Sequence, residues 1–171
     1  MTHEFKTIVK SHLLAVKQGL NSVLATVVDL EGSSYRKPGV RMLILENGKM
    51  IGAVSGGCVE KDILRQSESV FKTGKSKMMT YDGRYRLGCE GILYILLEPF
   101  NPDSKFIKQF PKVLKNRNSF QIKSYFTKDI GESDEIGSIV YLNGESNAIS
   151  KKLEENNNRL IFKETLKPCF K

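Results

Sequence analysis

The sequence is poor in the residues that metal sites and disulfide scaffolds need. It has three cysteines, two histidines and no CxxC motif among 171 residues. The odd set Cys58, Cys89 and Cys169 argues against a disulfide framework and against a closed zinc site. With so few histidines, a Ser/His/Asp triad or a zinc hydrolase has no support. Free thiols are the expected state, and no metal ligands are assigned.

Long apolar segments are also missing. No run approaches the roughly 20 apolar residues that cross a bilayer, and the N-terminus lacks the apolar core of a signal peptide. We therefore expect a cytoplasmic protein with no membrane partner. The hydrophobic content of 40%, with glycine added, is close to the globular average of about 45–50%, which excludes a disordered chain.

The net charge of +8 is not concentrated in one block of sequence. Residues 1–100 carry 14 Lys and Arg against 10 Asp and Glu, and residues 101–171 carry 13 against 9. Nucleic-acid binding regions cluster such charge or interleave it with aromatic residues. We therefore expect no nucleic-acid partner. Solubility explains most of the charge, and binding of a small anionic ligand is the alternative.

Hydrophobic periodicity predicts alternating helices and strands. We expect an α/β or α+β fold in which a mixed β-sheet carries packed helices. Residues 1–100 would hold the site, and residues 101–171 would form a smaller β/α portion. Predicted helices span 5–20, 59–71, 103–115 and 146–155, and predicted strands span 22–30, 40–45, 50–54, 77–81, 92–98, 119–127, 138–142 and 159–164. The pair Asn47 and Gly48 predicts a hairpin turn.

Residues 32–39 (GSSYRKPG) follow the first predicted strand and contain hydroxyls, cations and turn residues. Backbone N–H groups and guanidinium groups in such a loop can hold an anion such as phosphate. Ser33, Ser34 and Arg36 are the candidates there, and Arg41 can join them from the next strand. An ordinary polar hairpin loop is the alternative.

Residues 55–58 (SGGC) join a predicted strand to a predicted helix. Gly56 and Gly57 permit close approach of a ligand to the backbone, and the free N–H groups of a helix start favour anions. Cys58 at that position is a candidate nucleophile. The alternative is a tight turn with a small cysteine, in which Ser55 or Glu60 serves only as a cap.

Cys89 lies in a second loop bounded by glycines, with Arg84 and Arg86 nearby. Cys58 and Cys89 could meet at one ligand and hold a soft metal or handle sulfur, although their sequence spacing leaves this open. His12 lies on the apolar face of the first helix and is expected to be a core-edge residue.

Five segments together resemble a known family. These are residues 25–28 (ATVV), 32–39 (GSSYRKPG), 52–60 (GAVSGGCVE), 87–91 (LGCEG) and 98–99 (EP). In this order and spacing they are similar to the N-terminal domain of the XdhC/CoxI family, over roughly residues 5–100. The segment SGGC followed by a hydrophobic residue and Glu is the most specific of the matches.

The resemblance implies a xanthine dehydrogenase accessory protein. Such a chaperone binds the molybdenum cofactor (molybdopterin), supports its sulfuration and hands it to a molybdenum hydroxylase. Expected partners are a xanthine dehydrogenase-type hydroxylase, a cysteine desulfurase and a second copy of the chain. Arg36, Arg41 and the amides of Gly56 and Gly57 would contact the phosphate or the pterin. Cys58 and Cys89 would lie near the metal, and the implied site also contains Ser33, Ser34, Ser55 and Glu60.

Two departures from the family pattern matter. Glu90 stands where the family usually has glycine after the cysteine, which weakens the assignment of Cys89. Members usually continue into a Rossmann domain, but this sequence contains no GxGxxG, so we expect no complete Rossmann domain and credit it with no nucleotide binding. Two alternatives stay open: a small oxidoreductase or sulfurtransferase with Cys58 as nucleophile, and a fragment with a structural or dimerising role.

Overall fold

The computed structural model of the chain describes residues 2–32, 37–54, 57–85, 91–150, 153 and 158–168. Within these residues the chain forms three α-helices and ten strands. The helices are α1 (Thr2–Lys17), α2 (Cys58–Thr73) and α3 (Ser104–Lys115). The strands are β1 (Ser22–Glu31), β2 (Arg41–Leu45), β3 (Met50–Ile51), β4 (Lys77–Asp82), β5 (Ile92–Pro99), β6 (Phe120–Phe126), β7 (Gly131–Glu132), β8 (Gly137–Leu142), β9 (Glu145–Ala148) and β10 (Leu160–Leu166).

The strands form two sheets. The first sheet has the order β3-β2-β1-β5-β4-β7, and the second has the order β10-β6-β8-β9. Helices packed with sheets confirm the predicted fold class, in its α+β form. The sheets differ from the expected mixed sheet, because every strand pairing among the described residues is antiparallel. Four of the eight pairings join successive strands through short connections, which produce antiparallel neighbours.

The central strand β1 is covered on both faces, as its continuous apolar run predicts. On one face Ala25 and Val27 belong to a cluster with Ile63 of α2. On the other face Val28 belongs to a cluster with Phe126 of the second sheet. The first sheet is therefore the middle layer, between α2 and the second sheet.

Helices α1 and α3 close one end of the space between the sheets. Phe5 of α1 meets Phe110 of α3 edge-on, with ring centroids 5.6 Å apart, and Phe120 of β6 lies 6.0 Å from Phe5. Leu24 of the first sheet belongs to the same cluster. This core therefore contains residues from both sides of residue 100, and the division into portions 1–100 and 101–171 stays a prediction.

One predicted element is wrong. The helix expected over 146–155 begins instead as strand β9, which pairs with β8 in the register Tyr141 to Ser146 and Leu142 to Glu145. The hairpin at Asn47 and Gly48 is confirmed between β2 and β3, although β3 is shorter than expected. No described helix has the length and apolar content needed to cross a membrane.

Candidate functional site

Three connections begin or end at one end of the first sheet. Glu31, the last residue of β1, pairs with Ile92, the first residue of β5. Ile92 also pairs with Asp82, the last residue of β4. The connection that follows β1 and the connection between β4 and β5 therefore leave the sheet side by side. The N–H of Gly83 donates to the carbonyl of Gly91 at 2.9 Å and closes the second connection.

The connection between β3 and α2 begins toward the same end. Ile51 pairs with Leu43, so the chain reaches the start of β2 at Gly52. Arg41 at that start pairs with Thr26, five residues before the end of β1. A Cβ atom built on Gly52 would lie 3.1 Å from the carbonyl oxygen of Arg41. Three of the connections singled out in the sequence therefore leave their strands toward one end of the first sheet, which we call the convergent end.

Helix α2 then runs toward the opposite end of the sheet. Lys77, at the start of β4, donates from Nζ to the Gln66 carbonyl at 3.4 Å and to Ser69 Oγ at 3.1 Å. The second half of α2 thus lies at the far end. Because a helix of 16 residues extends about 24 Å, Cys58 at its start lies toward the convergent connections.

The structure describes four of the ten predicted site residues. These are Arg41, Gly57, Cys58 and Glu60. The other six predicted positions lie outside the described residues, and their roles stay predictions. They are Ser33, Ser34, Arg36, Ser55, Gly56 and Cys89.

Gly57 and Cys58 form the start of α2. A Cβ atom built on Gly57 would meet no atom of the described residues within 4 Å, so the space beside this backbone is open among them. Cys58 is exposed and is a free thiol. The first N–H groups of a helix have no partner within the helix and carry its positive dipole end. An anionic group can therefore approach the backbone here.

Glu60 holds this helix start together. It is 7% exposed, and its Oε2 accepts a hydrogen bond from the Gly57 N–H at 2.9 Å. This is the reach-back contact of a capping residue at the third helical position. The capping alternative for Glu60 is thus observed, and a ligand contact stays a prediction.

Arg41 faces the second sheet. It is 5% exposed, and its Nη1 lies 2.5 Å from Oε1 of Glu164 in β10 and donates to the Gly39 carbonyl at 3.1 Å. Its Nε and Nη2 are buried and have no hydrogen-bond partner in the part of the chain that the structure describes. The guanidinium therefore joins the two sheets, and two of its nitrogens have no acceptor among the described residues. Its contact with a phosphate stays a prediction.

Sequence reasoning missed a buried carboxyl group next to this region. Glu98 is fully buried in β5, and its oxygens accept from the Ser138 N–H at 2.8 Å and the Ser138 hydroxyl at 2.7 Å. Ser124 Oγ lies 2.7 Å from Ser138 Oγ. Burial raises the pKa of Glu98 to about 7, against the opposing hydrogen bonds from Ser138 and the charge of Arg41. Two signals in the sequence point to Glu98: it is an acidic residue within an apolar strand, and it belongs to the segment 98–99 (EP) of the family resemblance.

The opposite end of the first sheet holds a cavity of about 190 Å³. His12 lines it and is 5% exposed, with Nδ1 3.1 Å from Ser22 Oγ. Burial lowers the pKa of His12. The prediction that His12 is a core-edge residue is confirmed. Among the described residues there is no group of three or more His, Cys, Asp or Glu side chains that could hold a metal ion.

The comparisons with known proteins agree with the motifs. Residues 15–82 match the sequence model of the XdhC and CoxI family. The resemblance to this family is confirmed. The family segment thus runs from α1 to β4 and includes Arg41, Gly57, Cys58 and Glu60.

Two curated relatives match about half of the chain. The chain is 36% identical over 92 residues to a probable xanthine dehydrogenase subunit of Bacillus subtilis strain 168, which is 49% of this chain and 28% of the relative. It is 31% identical over 81 residues to the molybdenum cofactor insertion chaperone PaoD of Escherichia coli strain K12, which is 47% of this chain and 26% of the relative. The match thus spans little more than a quarter of each relative.

A solved structure shares the fold over nearly the whole chain. It is a crystal structure described as a xanthine dehydrogenase from Bacillus halodurans, with a TM-score of 0.66 and 24% sequence identity. The match covers 94% of this chain and 52% of that chain. The two-sheet arrangement therefore occurs in a protein about twice as long. At this identity the likeness establishes the fold alone.

Proposed function

We propose that this protein is an accessory factor that binds the molybdenum cofactor as cargo and delivers it to a xanthine dehydrogenase-type molybdenum hydroxylase. The observation that carries the proposal is that three glycine-bearing connections leave their strands toward one end of the first sheet, inside or beside the family segment. The relative PaoD, which is named as a molybdenum cofactor insertion chaperone, supports the choice of cargo.

The chemistry of this end suits the cargo. Molybdopterin joins a flat pterin to a phosphate and a dithiolene-bound metal. The N–H groups of the helix start at Cys58, beside the open space at Gly57, provide donors for an anionic group. In the proposal, Ser33, Ser34, Arg36, Arg41, Ser55 and Gly56 complete the phosphate and pterin contacts.

Sulfur chemistry accounts for the remaining predicted residues. Thiolate ligands suit soft metals, and Cys58 is exposed at the convergent end. In the proposal, Cys58 and Cys89 lie near the metal or its terminal sulfur, and Glu60 keeps the turn before Cys58 in shape. A cysteine desulfurase would supply sulfur, the protein would work in the cytoplasm, and a second copy of the chain is a further proposed partner.

The second candidate function is a sulfurtransferase in which Cys58 is the nucleophile. The exposure of Cys58 at the start of α2 favours this function, because reactive cysteines are accessible to solvent. The Cys58 thiolate would attack the outer sulfur of a donor persulfide, form a Cys58 persulfide and release the donor as its thiolate. Anaerobic incubation with a persulfide donor, followed by intact-mass measurement, detects that species. Catalytic turnover with the donor would favour the enzyme over the chaperone.

An anaerobic binding titration tests the main proposal. Purified chain is titrated with isolated molybdenum cofactor, and Cys58→Ala and Arg36→Ala are compared with the unchanged protein. Each variant should bind about tenfold more weakly or worse, since a charge-assisted hydrogen bond contributes about 1.5–3 kcal/mol. Lys75→Ala, an exposed change at the far end of α2, is the control. If Cys58→Ala and Arg36→Ala both bind like the parent, the site assignment fails.

A further inference from the structure

Helix α3 and the strand after it are strongly basic. Residues 104–128 contain seven Lys and Arg and no Asp or Glu. A count over residues 101–171 hides this, because the acidic residues of that part lie almost entirely after residue 128. Lys105, Lys108, Lys112 and Lys115 recur every three or four residues along α3, which places them on one face of the helix.

The opposite face of α3 is fixed in the core. Phe106, Phe110 and Val113 are at most 2% exposed, and the Phe106 and Phe110 rings stack at 5.2 Å. Asp103 caps the helix by accepting from the Phe106 N–H at 2.9 Å. The packing therefore fixes the backbone positions of the lysines, which lie on the solvent side of the helix.

Among the described residues, a carboxylate pairs with this face at one end. Lys105 Nζ lies 3.1 Å from Oε2 of Glu145, which also accepts from Gln109. Lys108, Lys112 and Lys115 are exposed, and no carboxylate among the described residues lies within 4 Å of them. Like charges at this spacing disfavour a helix slightly, so an acidic surface placed against them would relieve a repulsion.

We infer that these three lysines, the α3 basic face, form the docking surface for an acidic patch on the protein that receives the cargo. The inference rests on the proposed function for the identity of that protein, and on charge complementarity for the surface. Exposed lysines are mobile point charges, and such charges steer a partner and raise its association rate more than they slow its dissociation.

The same observations favour a protein over nucleic acid or a membrane. The aromatic rings of α3 are buried, so this helix offers no platform on which bases could stack. Its apolar face is also occupied by the core, whereas a helix that lies in a bilayer surface must free that face for lipid. Helix α3 therefore presents to solvent a set of positive charges on a well-packed helix.

The test measures binding of the full chain to a purified, cofactor-free xanthine dehydrogenase-type hydroxylase immobilised on a sensor. The variant K108Q/K112Q/K115Q is compared with K49Q/K72Q/K75Q, which removes three exposed lysines elsewhere and gives the same net charge. At about 50 mM salt the α3 variant should associate about five to ten times more slowly, and the difference should vanish near about 500 mM salt. The control triple should stay within about twofold of the parent.

Folding is checked by circular dichroism and thermal melting. The charge-preserving triple K108R/K112R/K115R provides a second reading, because it should associate like the parent. Equal association rates for the two glutamine triples would overturn the docking surface, and so would a parent that does not bind the hydroxylase. The docking surface would also be overturned if the α3 glutamine triple lost binding to duplex DNA, or to vesicles of phosphatidylcholine with phosphatidylglycerol, while its binding to the hydroxylase was unchanged.

Titration with the molybdenum cofactor separates this inference from the proposed function. The α3 triple should bind cofactor like the parent, because α3 is not part of the proposed cargo site. A parent that binds cofactor but shows no association that depends on α3 would overturn the docking surface alone. A parent that binds the hydroxylase through α3 but binds no cofactor would contradict the proposed function and leave the docking surface standing.

Discussion

Glu98 of β5 accepts two hydrogen bonds from Ser138 of β8, one from the backbone N–H at 2.8 Å and one from the hydroxyl at 2.7 Å. The two residues belong to different sheets and are both buried. This contact therefore fastens the sheets to each other inside the protein. Burial disfavours the charged carboxylate and therefore raises the pKa of Glu98 to about 7.

Stability should fall as the pH rises through this value. The folded pKa of about 7 is above the unfolded value of about 4.3, so the folded state holds the proton more tightly. The stabilisation is complete below the unfolded pKa and is lost as the pH rises through the folded pKa. Between about pH 5.5 and about pH 8 the contribution of Glu98 should fall by about 2 kcal/mol.

Glu98→Gln isolates this effect, since glutamine keeps the shape without titrating. Urea unfolding of both proteins at the two pH values should show that the free energy of unfolding of the parent falls by about 2 kcal/mol more than that of the variant as the pH rises. Parallel pH profiles for the parent and Glu98→Gln would show that Glu98 does not titrate in this range.

Arg41 and Glu164 form a second link between the sheets. Their side chains are 5% and 19% exposed, so Arg41→Met would leave a largely buried carboxylate without its partner. We expect a loss of about 3 kcal/mol in the free energy of unfolding, measured by urea denaturation. The double variant R41M/E164L should recover part of this loss. A loss below about 1 kcal/mol, the usual value of a surface pair, would argue against a structural role.

The sequence predicts those parts of the fold that depend on local pattern. The unbroken apolar run of β1 predicts a strand buried on both faces, and Gly74 ends α2 in the left-handed conformation that glycine favours. The pairing of Arg41 with Glu164 is different, because the two residues are 123 positions apart. No spacing rule links such positions, so the sequence suggested a ligand contact for Arg41 and missed its ion pair.

The candidate site stays a prediction, and local pattern indicates only where it would lie. Glycines and a helix start identify where a backbone can accept a ligand, and strand register sets the end of the sheet toward which these connections leave. The cap that Glu60 provides depends on a contact three residues away, to the Gly57 N–H. Because the contact is local, the sequence predicted it as the capping alternative for Glu60. The burial of Glu98 depends on the second sheet, so the sequence did not predict it.

Glu60 provides a test of capping against ligand binding. Glu60→Ala removes the acceptor for the Gly57 N–H and should cost about 1 kcal/mol of stability. Glu60→Gln keeps an acceptor and should lose less, and its cofactor affinity should equal that of the parent if the residue only shapes the turn. Thermal melting and the anaerobic titration measure the two effects. A large loss of affinity in a stable Glu60→Gln protein would instead assign Glu60 to the cargo contacts.

The erroneous helix over 146–155 has an identifiable cause. Asn143 and Gly144 have φ values of +50° and +80°, as the two central residues of a type I′ hairpin turn require. This turn directs the chain back along β8, and Asn147 then lies buried and donates to the Val140 carbonyl at 3.4 Å. The Asn-Gly signal was present in the sequence, as at Asn47 and Gly48, and it overrides the helical spacing that follows.

Gly144→Ala tests this explanation. A Cβ atom at Gly144 would meet no atom within 4 Å, so any loss of stability must come from the backbone conformation. We expect a loss of about 1–2 kcal/mol, measured by urea unfolding. Gly144→Asn should lose less, because asparagine tolerates positive φ better than alanine does. Gly48→Ala, at φ +91° in the other Asn-Gly hairpin and equally open space, should lose a similar amount. An unchanged Gly144→Ala protein would mean that the turn does not depend on this glycine.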